Sequence, residues 1–400
     1  MLAWRITRSR KSRFLSLITT VSIVGIALGV MALTIVVSVT AGFEASFRDR
    51  ILGLHPHLLV WPRTDDFVDY RKAMKTVGAD PHVLGVTPAT YDEMMVAHGD
   101  RRAGTIVKGV DAATVTDVIP IDTLVTEGSL DGLNETPTLT PAADGDLELR
   151  NLVAETAWTV IVWGDGPTER SIIANDLMNP DIGDARLTVF HAAPDRGLVD
   201  VSLDAETPAV LQTLSPGTSG RPISMISGPL ALRMGKRTTT GSDLALESGQ
   251  TALLILRPNG GEELVTWDLN RPLDGESRVR IVDVRPDAKP PIRIRCNDLA
   301  LESGRPHTVP ARPPTILLAS ALAKRLDAQV GDTVSVSTPY RGLGLRGIAP
   351  MGMEPSSGRF QVGGIFRTGY YDYDTRFAVV AFNAATRFLN TGDRAKWLEV

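Results

Sequence analysis

One short stretch of the sequence has residue types that could bind a nucleotide. The run GLGLRG places Gly342, Gly344 and Gly347 at the spacing of the dinucleotide-binding fingerprint, directly after a predicted strand. That fingerprint holds a pyrophosphate only where a helix begins after the glycines, because amide groups of the first helical turn contact the phosphate. Pro350 and Pro355 follow instead and disfavour such a helix. The run therefore does not predict a cofactor site.

The other residues that could perform chemistry are scattered. RMGKRT near 233–238 resembles a phosphate-binding loop, but its first glycine has the wrong spacing, so we predict no ATPase within this chain. Histidines at positions 55, 57, 82, 98, 191 and 307 lack metal-ligand spacing. Asp372 and Asp374 in YYDYD have aromatic neighbours but no His or Ser partner in sequence. We predict a non-enzymatic chain without cofactor, catalytic residues or metal site, although a site assembled from distant residues remains an alternative.

Composition limits the remaining classes of function. The chain has 400 residues and one cysteine, Cys296, so it forms no internal disulfide. Its formal net charge of -4 argues against nucleic acid as a partner. The length predicts two or three domains.

An apolar segment near the N-terminus is predicted to cross a membrane. No charged residue lies between Phe14 and Phe43, and a helix of that length spans about 45 Å. A membrane helix needs about 20 residues, and the apolar core of a cleaved signal peptide has only about 7–15. The preceding segment, residues 1–13, is basic and contains no acid. We therefore predict a cytoplasmic N-terminus and a periplasmic location for the bulk of the chain.

The same helix is predicted to continue beyond the membrane as a stalk, so that 14–53 forms one unit. Phe43, Phe47 and Ile51 follow each other at helical spacing, with charged residues between them. Gly53 and Pro56 then end the helix.

Two glycines within the apolar segment could support contact between helices. Gly25 and Gly29 form a small-xxx-small pair, which permits close helix packing. Ordinary glycines of a membrane helix would have the same appearance, and this alternative stays open.

The remaining chain has two kinds of sequence pattern. Residues 54–133 and 313–400 mix helical and strand patterns, including a predicted helix at 66–77 and another at Ile316–Leu326. Residues 134–312 are rich in Pro, Gly, Thr and Asp and contain short strand-like runs. We predict an α+β fold: one core domain in two parts, interrupted by an all-β, sandwich-like insertion.

The insertion contains an internal repeat. Seven residues recur at one constant offset: Asp176, Leu177, Pro180, Gly183, Arg186, Pro194 and Asp195 reappear as Asp268, Leu269, Pro272, Gly275, Arg278, Pro286 and Asp287. DLALESG also occurs twice, at 243–249 and 298–304, with a different offset. We predict two β-sandwich-like modules, of which the second is partial.

Three stretches resemble a known family of transporters. SLITTVSIVGIALGVMALTIVVSVTAGFEASFRDRILGLHPHLLV (16–60) is similar to the first membrane helix and stalk of LolC/LolE-type lipoprotein-releasing permeases. LASALAKRLDAQVGDTVSVSTP (318–339) and FQVGGIFRTGYYDYDTRFAVVAFNAATRFL (360–389) resemble the second half of their periplasmic domain. A looser similarity at 84–133 extends the resemblance to about half of the chain. These permeases belong to the FtsX/MacB-like superfamily, which implies a MacB-like periplasmic core here.

The resemblance implies a transmembrane subunit of an ABC transporter in the bacterial inner membrane. Such a transporter extracts lipoproteins from the outer leaflet and passes them to a soluble periplasmic carrier, LolA. It implies a LolD-like ATPase subunit as partner, and a second permease subunit or a second copy of this chain. The outer half of the first helix would then contact lipoproteins, through Ile35, Val36, Val39 and Phe43.

The resemblance also implies a carrier-binding loop. In LolC-like subunits a β-hairpin loop, the hook, captures the carrier, and APMGMEPSSGRFQV (349–362) resembles it. Its predicted contact residues are Pro350, Met351, Gly352, Met353, Pro355 and Arg359. Prolines lower the entropic cost of ordering a loop, and methionines offer adaptable apolar contacts. A plain hairpin loop remains the alternative.

The sequence departs from the family in two ways. Family members have three further membrane helices, whereas this sequence stops at Val400, so we expect a fragment of a four-helix permease. The insertion has no counterpart in the family, and ARLTVFHAAPDRGLVDVSL within it resembles a secreted β-domain family of unknown function. Two other functions stay open: a MacB-like efflux permease subunit that contacts an adaptor protein, and a membrane-anchored periplasmic binding protein.

Overall fold

The structure is a computed structural model. It describes residues 13–52, 56–63, 67, 69–142, 146–164, 169–175, 177, 180, 183–203, 210–234, 237–258, 261–285, 293–297, 299–338 and 356–400.

Six α-helices lie in the described part of the chain. They are α1 (Arg13–Leu52), α2 (Tyr70–Val77), α3 (Ile121–Leu124), α4 (Ser320–Leu326), α5 (Tyr371–Arg376) and α6 (Phe382–Leu389).

The described strands are numbered in chain order. The first twelve are β1 (Leu59–Val60), β2 (Thr87–His98), β3 (Arg101–Val110), β4 (Val125–Gly128), β5 (Thr138–Pro141), β6 (Leu147–Arg150), β7 (Thr156–Val162), β8 (Arg170–Ala174), β9 (Asp184–His191), β10 (Val199–Leu203), β11 (Val210–Leu214) and β12 (Ile223–Ile226). The others are β13 (Gly228–Met234), β14 (Arg237–Leu246), β15 (Thr251–Leu256), β16 (Glu262–Thr266), β17 (Glu276–Asp283), β18 (Ile294–Cys296), β19 (Leu299–Leu301), β20 (Pro306–Pro310), β21 (Thr315–Ala319), β22 (Thr333–Thr338), β23 (Ser356–Phe366), β24 (Phe377–Ala381) and β25 (Trp397–Glu399).

Helix α1 is one unbroken helix of 40 residues. Its segment Leu17–Glu44 is long and apolar enough to cross a membrane, and none of that segment is buried against other described residues. The helix ends at Leu52, directly before the glycine that is predicted to end it.

A closed ring of strands forms the α+β core. Strands β2, β22, β23, β21, β24 and β3 follow each other around the ring, and the pairing of β2 with β3 closes it. Helices α4 and α6 pack on these strands, and one apolar cluster unites them: Leu317 and Val379 of the strands and Leu322 of α4 are all 0% exposed.

Two short strands extend the sheet beyond the ring at β2. Strand β25 pairs with β2, and β1 pairs with β25. Strand β1 is the first strand after α1, so the chain that leaves the helix joins the core through β25.

Four further sheets, each of four strands, lie between the two parts of the core sequence. Two of them have the same strand arrangement, β12-β9-β15-β16 and β20-β17-β7-β8. In both, the central pair is parallel and the outer pairs are antiparallel. Since β7 and β8 precede β9 and β17 follows β16, one module is inserted within the other.

The prediction that the second module is partial is wrong. Strands on both sides of the first module supply the sheets β20-β17-β7-β8 and β19-β18-β6-β5, so the second module has as many sheets as the first. The second module is split in sequence by the first. Identities at one constant offset therefore detect only the part of the second module that follows the first module in the chain.

The central strands explain how these sheets stack. In β15, Ala252, Leu254 and Leu256 pack into one apolar cluster, while Leu253 and Ile255 pack into another. Strand β7 divides its side chains in the same way. Because neighbouring side chains of a strand point to opposite faces, both central sheets are covered on both sides, and the region has four stacked layers.

Two sequence-based helix predictions are wrong at their N-terminal parts. The run predicted as a helix over Ile316–Leu326 begins as strand β21, and only Ser320–Leu326 is helical. All five residues of β21 are buried, so its sequence is continuously apolar and lacks the alternation that identifies a half-buried strand. Within the predicted helix at 66–77, Tyr70–Val77 is helical, whereas Phe67 forms a β-bridge with Ala395.

Candidate interaction surfaces

The four predicted lipoprotein-contact residues lie on one face of α1. A helix turns by about 100° per residue, so Ile35, Val36, Val39 and Phe43 lie within an arc of about 100°. Their side chains are between 55% and 68% exposed. The structure therefore brings these residues together as a continuous apolar surface that no other described residue covers.

Gly25 and Gly29 of α1 belong to the same side of the helix. At the same rotation per residue, Gly25 and Gly29 lie within about 20° of that arc. Apart from the adjacent backbone of the helix itself, no described atom lies within 4 Å of a Cβ added at either glycine. The space over them is thus free for a second helix.

Most of the predicted hook lies outside the described residues. Strands β22 and β23 form a hairpin stem whose last pair is Thr338 and Ser356. The positions predicted to contact a carrier, Pro350, Met351, Gly352, Met353 and Pro355, lie in the undescribed range 339–355, as does GLGLRG.

Arg359 is the one predicted hook residue that is described. It lies within β23, opposite Ser335 of β22, and so belongs to the stem. Its guanidinium group is ion-paired with the carboxylate of Asp274, which lies between β16 and β17. The stem of the hairpin is thereby attached to the nested β modules.

A buried ion pair connects β25 to the ring, and sequence reasoning missed it. The Nζ of Lys108 in β3 lies 2.8 Å from Oε1 of Glu399, and the two side chains are 4% and 2% exposed. The Trp397 indole also donates a hydrogen bond to this carboxylate, at 3.2 Å. Burial lowers the pKa of Lys108, and the charge and hydrogen bond of Glu399 oppose that shift. No local sequence signal could identify a pair whose members are this distant in the chain.

A polar joint holds the nested modules against the core. The Arg387 guanidinium of α6 pairs with Glu135 at 3.2 Å, and these side chains are 17% and 3% exposed. Arg271 donates from Nη2 to the Arg387 carbonyl at 2.5 Å and to Asn390 Oδ1 at 3.2 Å, at the C-terminal end of α6. A cleft of about 350 Å³ between the two regions is lined by these residues and by Arg186.

Arg312 connects the segment in which the chain leaves the core for the nested modules to the segment in which it returns. It donates to the Gly132 carbonyl at 3.2 Å, to Asn151 Oδ1 at 3.0 Å and to Thr315 Oγ1 at 2.9 Å. One side chain thus contacts the segment before the modules at Gly132, the first strands of the modules at Asn151, and strand β21 at Thr315.

Two polar residues singled out by motif have structural roles. His191, in FHAAPD, contacts the Gly197 carbonyl through Nε2 at 2.7 Å, and its Nδ1 accepts from the Ala193 amide at 3.2 Å. Asp374 accepts hydrogen bonds from the amide and hydroxyl groups of Thr368, at 2.8 and 2.9 Å. Both side chains support turns.

Comparison with known proteins gives a family match for the N-terminal part. Residues 19–176 match the model of the MacB-like periplasmic core domain. This range contains most of α1, the β2–β3 hairpin and the first four strands of the nested modules.

Curated relatives match over a similar length. The LolC transmembrane protein of the lipoprotein-releasing system of Xylella fastidiosa (strain Temecula1) is 32% identical over 124 residues, which is 31% of this chain and 30% of that protein. LolC of Neisseria meningitidis serogroup B is 32% identical over 112 residues, 27% of each chain. LolE of Haemophilus influenzae is 30% identical over 131 residues, 32% of each chain. The match thus spans about a third of the length of these relatives.

Proposed function

Because the chain contains a MacB-like periplasmic core domain and is related in sequence to LolC and LolE, we propose that it is a permease subunit of a lipoprotein-releasing ABC transporter. The observation that carries this proposal is the similarity to LolC and LolE, together with an apolar helix that continues without a break to Leu52. In this proposal the subunit is not catalytic, and a separate LolD-like subunit hydrolyses ATP.

The proposed membrane topology follows from charge. The basic N-terminal segment would lie in the cytoplasm, and the ring of strands and the nested modules in the periplasm. Helix α1 then reaches the outer leaflet of the inner membrane near Val39 and Phe43, where lipoproteins are anchored. The exposed apolar face of α1 suits contact with acyl chains.

The free surface at Gly25 and Gly29 supports assembly with a second membrane helix. A small residue at every fourth position lets two helix backbones approach closely, and no atom of the described chain occupies that space. The partner helix would come from a second permease subunit or a second copy of this chain.

Carrier binding is proposed for the loop at the end of the β22–β23 hairpin. The stem is regularly paired up to Thr338 and Ser356 and is ion-paired through Arg359 to the nested modules. A fixed stem limits the loss of conformational entropy when its loop binds a partner. The loop residues from Pro350 to Pro355 would contact a LolA-like carrier.

A second candidate, a MacB-like efflux permease, is favoured by the family model that matches residues 19–176. Such a subunit would bind a periplasmic adaptor protein instead of a lipoprotein carrier. The partners therefore distinguish the two candidates.

Affinity purification tests the proposed function. The chain, tagged and solubilised from the inner membrane of its own bacterium in mild detergent, should retain a LolD-like ATPase, and the same tag on an unrelated single-span protein should not. Recovery of an adaptor protein in place of lipoproteins or carrier would favour the efflux permease. Recovery of neither ATPase nor a second permease would contradict both.

A photoreactive side chain at position 351 tests the carrier loop. An adduct with purified LolA is expected from this position and not from position 273, where Leu273 is 72% exposed in the nested modules. If a known LolC forms the adduct in parallel and position 351 does not, the loop has another role.

A further inference from the structure

Four large apolar side chains are exposed close to the point where α1 joins the core domain. Leu58 is 64% exposed, Leu59 43%, Trp61 57% and Leu84 95%. The value for Leu84 is the highest among the described large apolar side chains. A soluble domain usually scatters such residues, whereas a group of them marks an interaction surface.

The strand register places these residues at one end of the sheet. Glu399 of β25 pairs with Leu59 on one side and with Thr87 of β2 on the other. Leu58 exchanges two backbone hydrogen bonds of 3.0 Å with Val400 at this end. Leu84 precedes Thr87 by three residues, which reach at most about 10 Å.

The length of the chain limits how far this end can lie from the membrane. From Glu44, the last residue of the apolar segment, to Leu52 the helix rises by about 12 Å. The six residues from Leu52 to Leu58 extend over at most about 20 Å. The headgroup layer of each leaflet adds about 5–7 Å to the hydrocarbon core. An uncharged helix longer than the core also tilts, which lowers its outer end toward the headgroups.

We propose that Leu58, Leu59, Trp61 and Leu84 form a foot that docks on the outer-leaflet lipid surface. Leucine supplies apolar area to such a surface, and tryptophan favours the headgroup boundary, where one part of its ring is apolar and another polar. Trp61 is supported for this role because its ring contacts that of Trp397, with 4.7 Å between centroids. The inference rests on the membrane topology given under the proposed function.

Docking at the foot has a consequence for the moving parts of the molecule. The foot includes Leu59 of β1 and Leu84 in the segment that leads into β2, a strand of the ring. Lipid contact there fixes the height and tilt of the core domain beside the exit point of α1. A movement of α1 would then rotate the domain about the foot.

A nitroxide label on Leu84→Cys tests the foot. The full chain, with Cys296→Ala to remove its one cysteine, is reconstituted into vesicles of phosphatidylethanolamine and phosphatidylglycerol. Power-saturation measurements then compare how strongly the label is relaxed by oxygen, which is enriched in lipid, and by a water-soluble nickel complex. We expect oxygen to relax the label at 84 more than nickel does, and the reverse for a label on Leu273→Cys.

A third label, on Val36→Cys in α1, separates the possible outcomes. If oxygen dominates at 36 and nickel at 84, the foot is overturned and the membrane anchor stands. If nickel dominates at 36, the anchor and the foot fall together. If both reagents are excluded at 84 while oxygen dominates at 36, a second copy of this chain covers these residues, and the lipid contact is likewise overturned.

Discussion

The buried ion pair between Lys108 and Glu399 shows how single side chains hold two parts of the core together. Removal of two charged groups from water is unfavourable, and the pair persists because each supplies the other's counter-charge. Glu399 Oε2 has no hydrogen-bond partner among the described residues, so the carboxylate is only partly satisfied there. This arrangement joins β25, and with it the strand that follows α1, to the ring.

We expect Glu399→Gln to destabilise the core domain by about 3–5 kcal/mol, because it leaves Lys108 buried without a counter-charge. The double variant Lys108→Met/Glu399→Leu should lose clearly less, since it leaves no buried charge. Denaturant unfolding of both proteins measures the difference. A double variant as unstable as the single one would show that packing, and not charge, holds β25.

His191 makes the stability of the nested modules depend on pH. Burial lowers the pKa of His191 below its ordinary value of 6.5, against the opposing hydrogen bond with the Gly197 carbonyl. The folded state then binds the proton more weakly than the unfolded state, so the free energy of unfolding falls as pH drops from 6.5 to the lowered pKa. His191→Gln should flatten this decline. Thermal unfolding across that pH range measures the decline in both proteins. An equal decline would assign the pH dependence to other groups.

Regular elements with a clear pattern are predictable from the sequence, and fully buried ones are less so. The uncharged run identifies the apolar segment of α1, and Gly53 and Pro56 after it identify the end of the helix at Leu52. Strand β22 also shows its alternation, with Val334 and Val336 buried between exposed or half-buried neighbours. Strand β21 lacks that alternation because both of its faces are covered, so its apolar run cannot be distinguished from a helix.

The apolar face of α1 gives a prediction with a matched control. Val39→Arg should stall lipoprotein release, because it places a charge within the proposed cargo-contact face. Val37 lies at nearly the same depth, is 58% exposed, and points to the opposite side of the helix, so Val37→Arg should affect release less. Transfer of a labelled lipoprotein from spheroplasts to the carrier measures both. Equal inhibition would indicate a general effect on membrane insertion.

Across the whole molecule, the repeat predicts the existence of two β modules but not their connection. Identity at a constant offset matches β9 to β17, yet β7 and β8 of the second module lie before the first. The joint with the core is likewise invisible in the sequence, because Arg271, Arg387 and Glu135 meet only after the modules fold back. Motif residues such as His191 are visible, but their contacts with nearby turns are not.

The joint can be tested by replacing Arg271. Arg271→Ala removes two hydrogen bonds at the end of α6, so amide exchange there should become faster and the modules should be cleaved more readily by protease. Arg305 is a suitable control, because its pair with Glu302 lies on the surface of the modules, with exposed fractions of 64% and 69%. Unchanged exchange in Arg271→Ala would show that Glu135–Arg387 and Arg359–Asp274 suffice to hold the modules.

Release of a lipoprotein from reconstituted vesicles tests the central claim most directly. The chain is purified with its associated ATPase and permease partner, inserted into vesicles with a radiolabelled lipoprotein, and given ATP and a LolA-like carrier. The proposed function predicts that label moves to the soluble carrier only when ATP and carrier are both present, and that Val39→Arg suppresses this transfer. Retention of all label in the vesicles, while vesicles containing a known LolC complex release theirs, would contradict it.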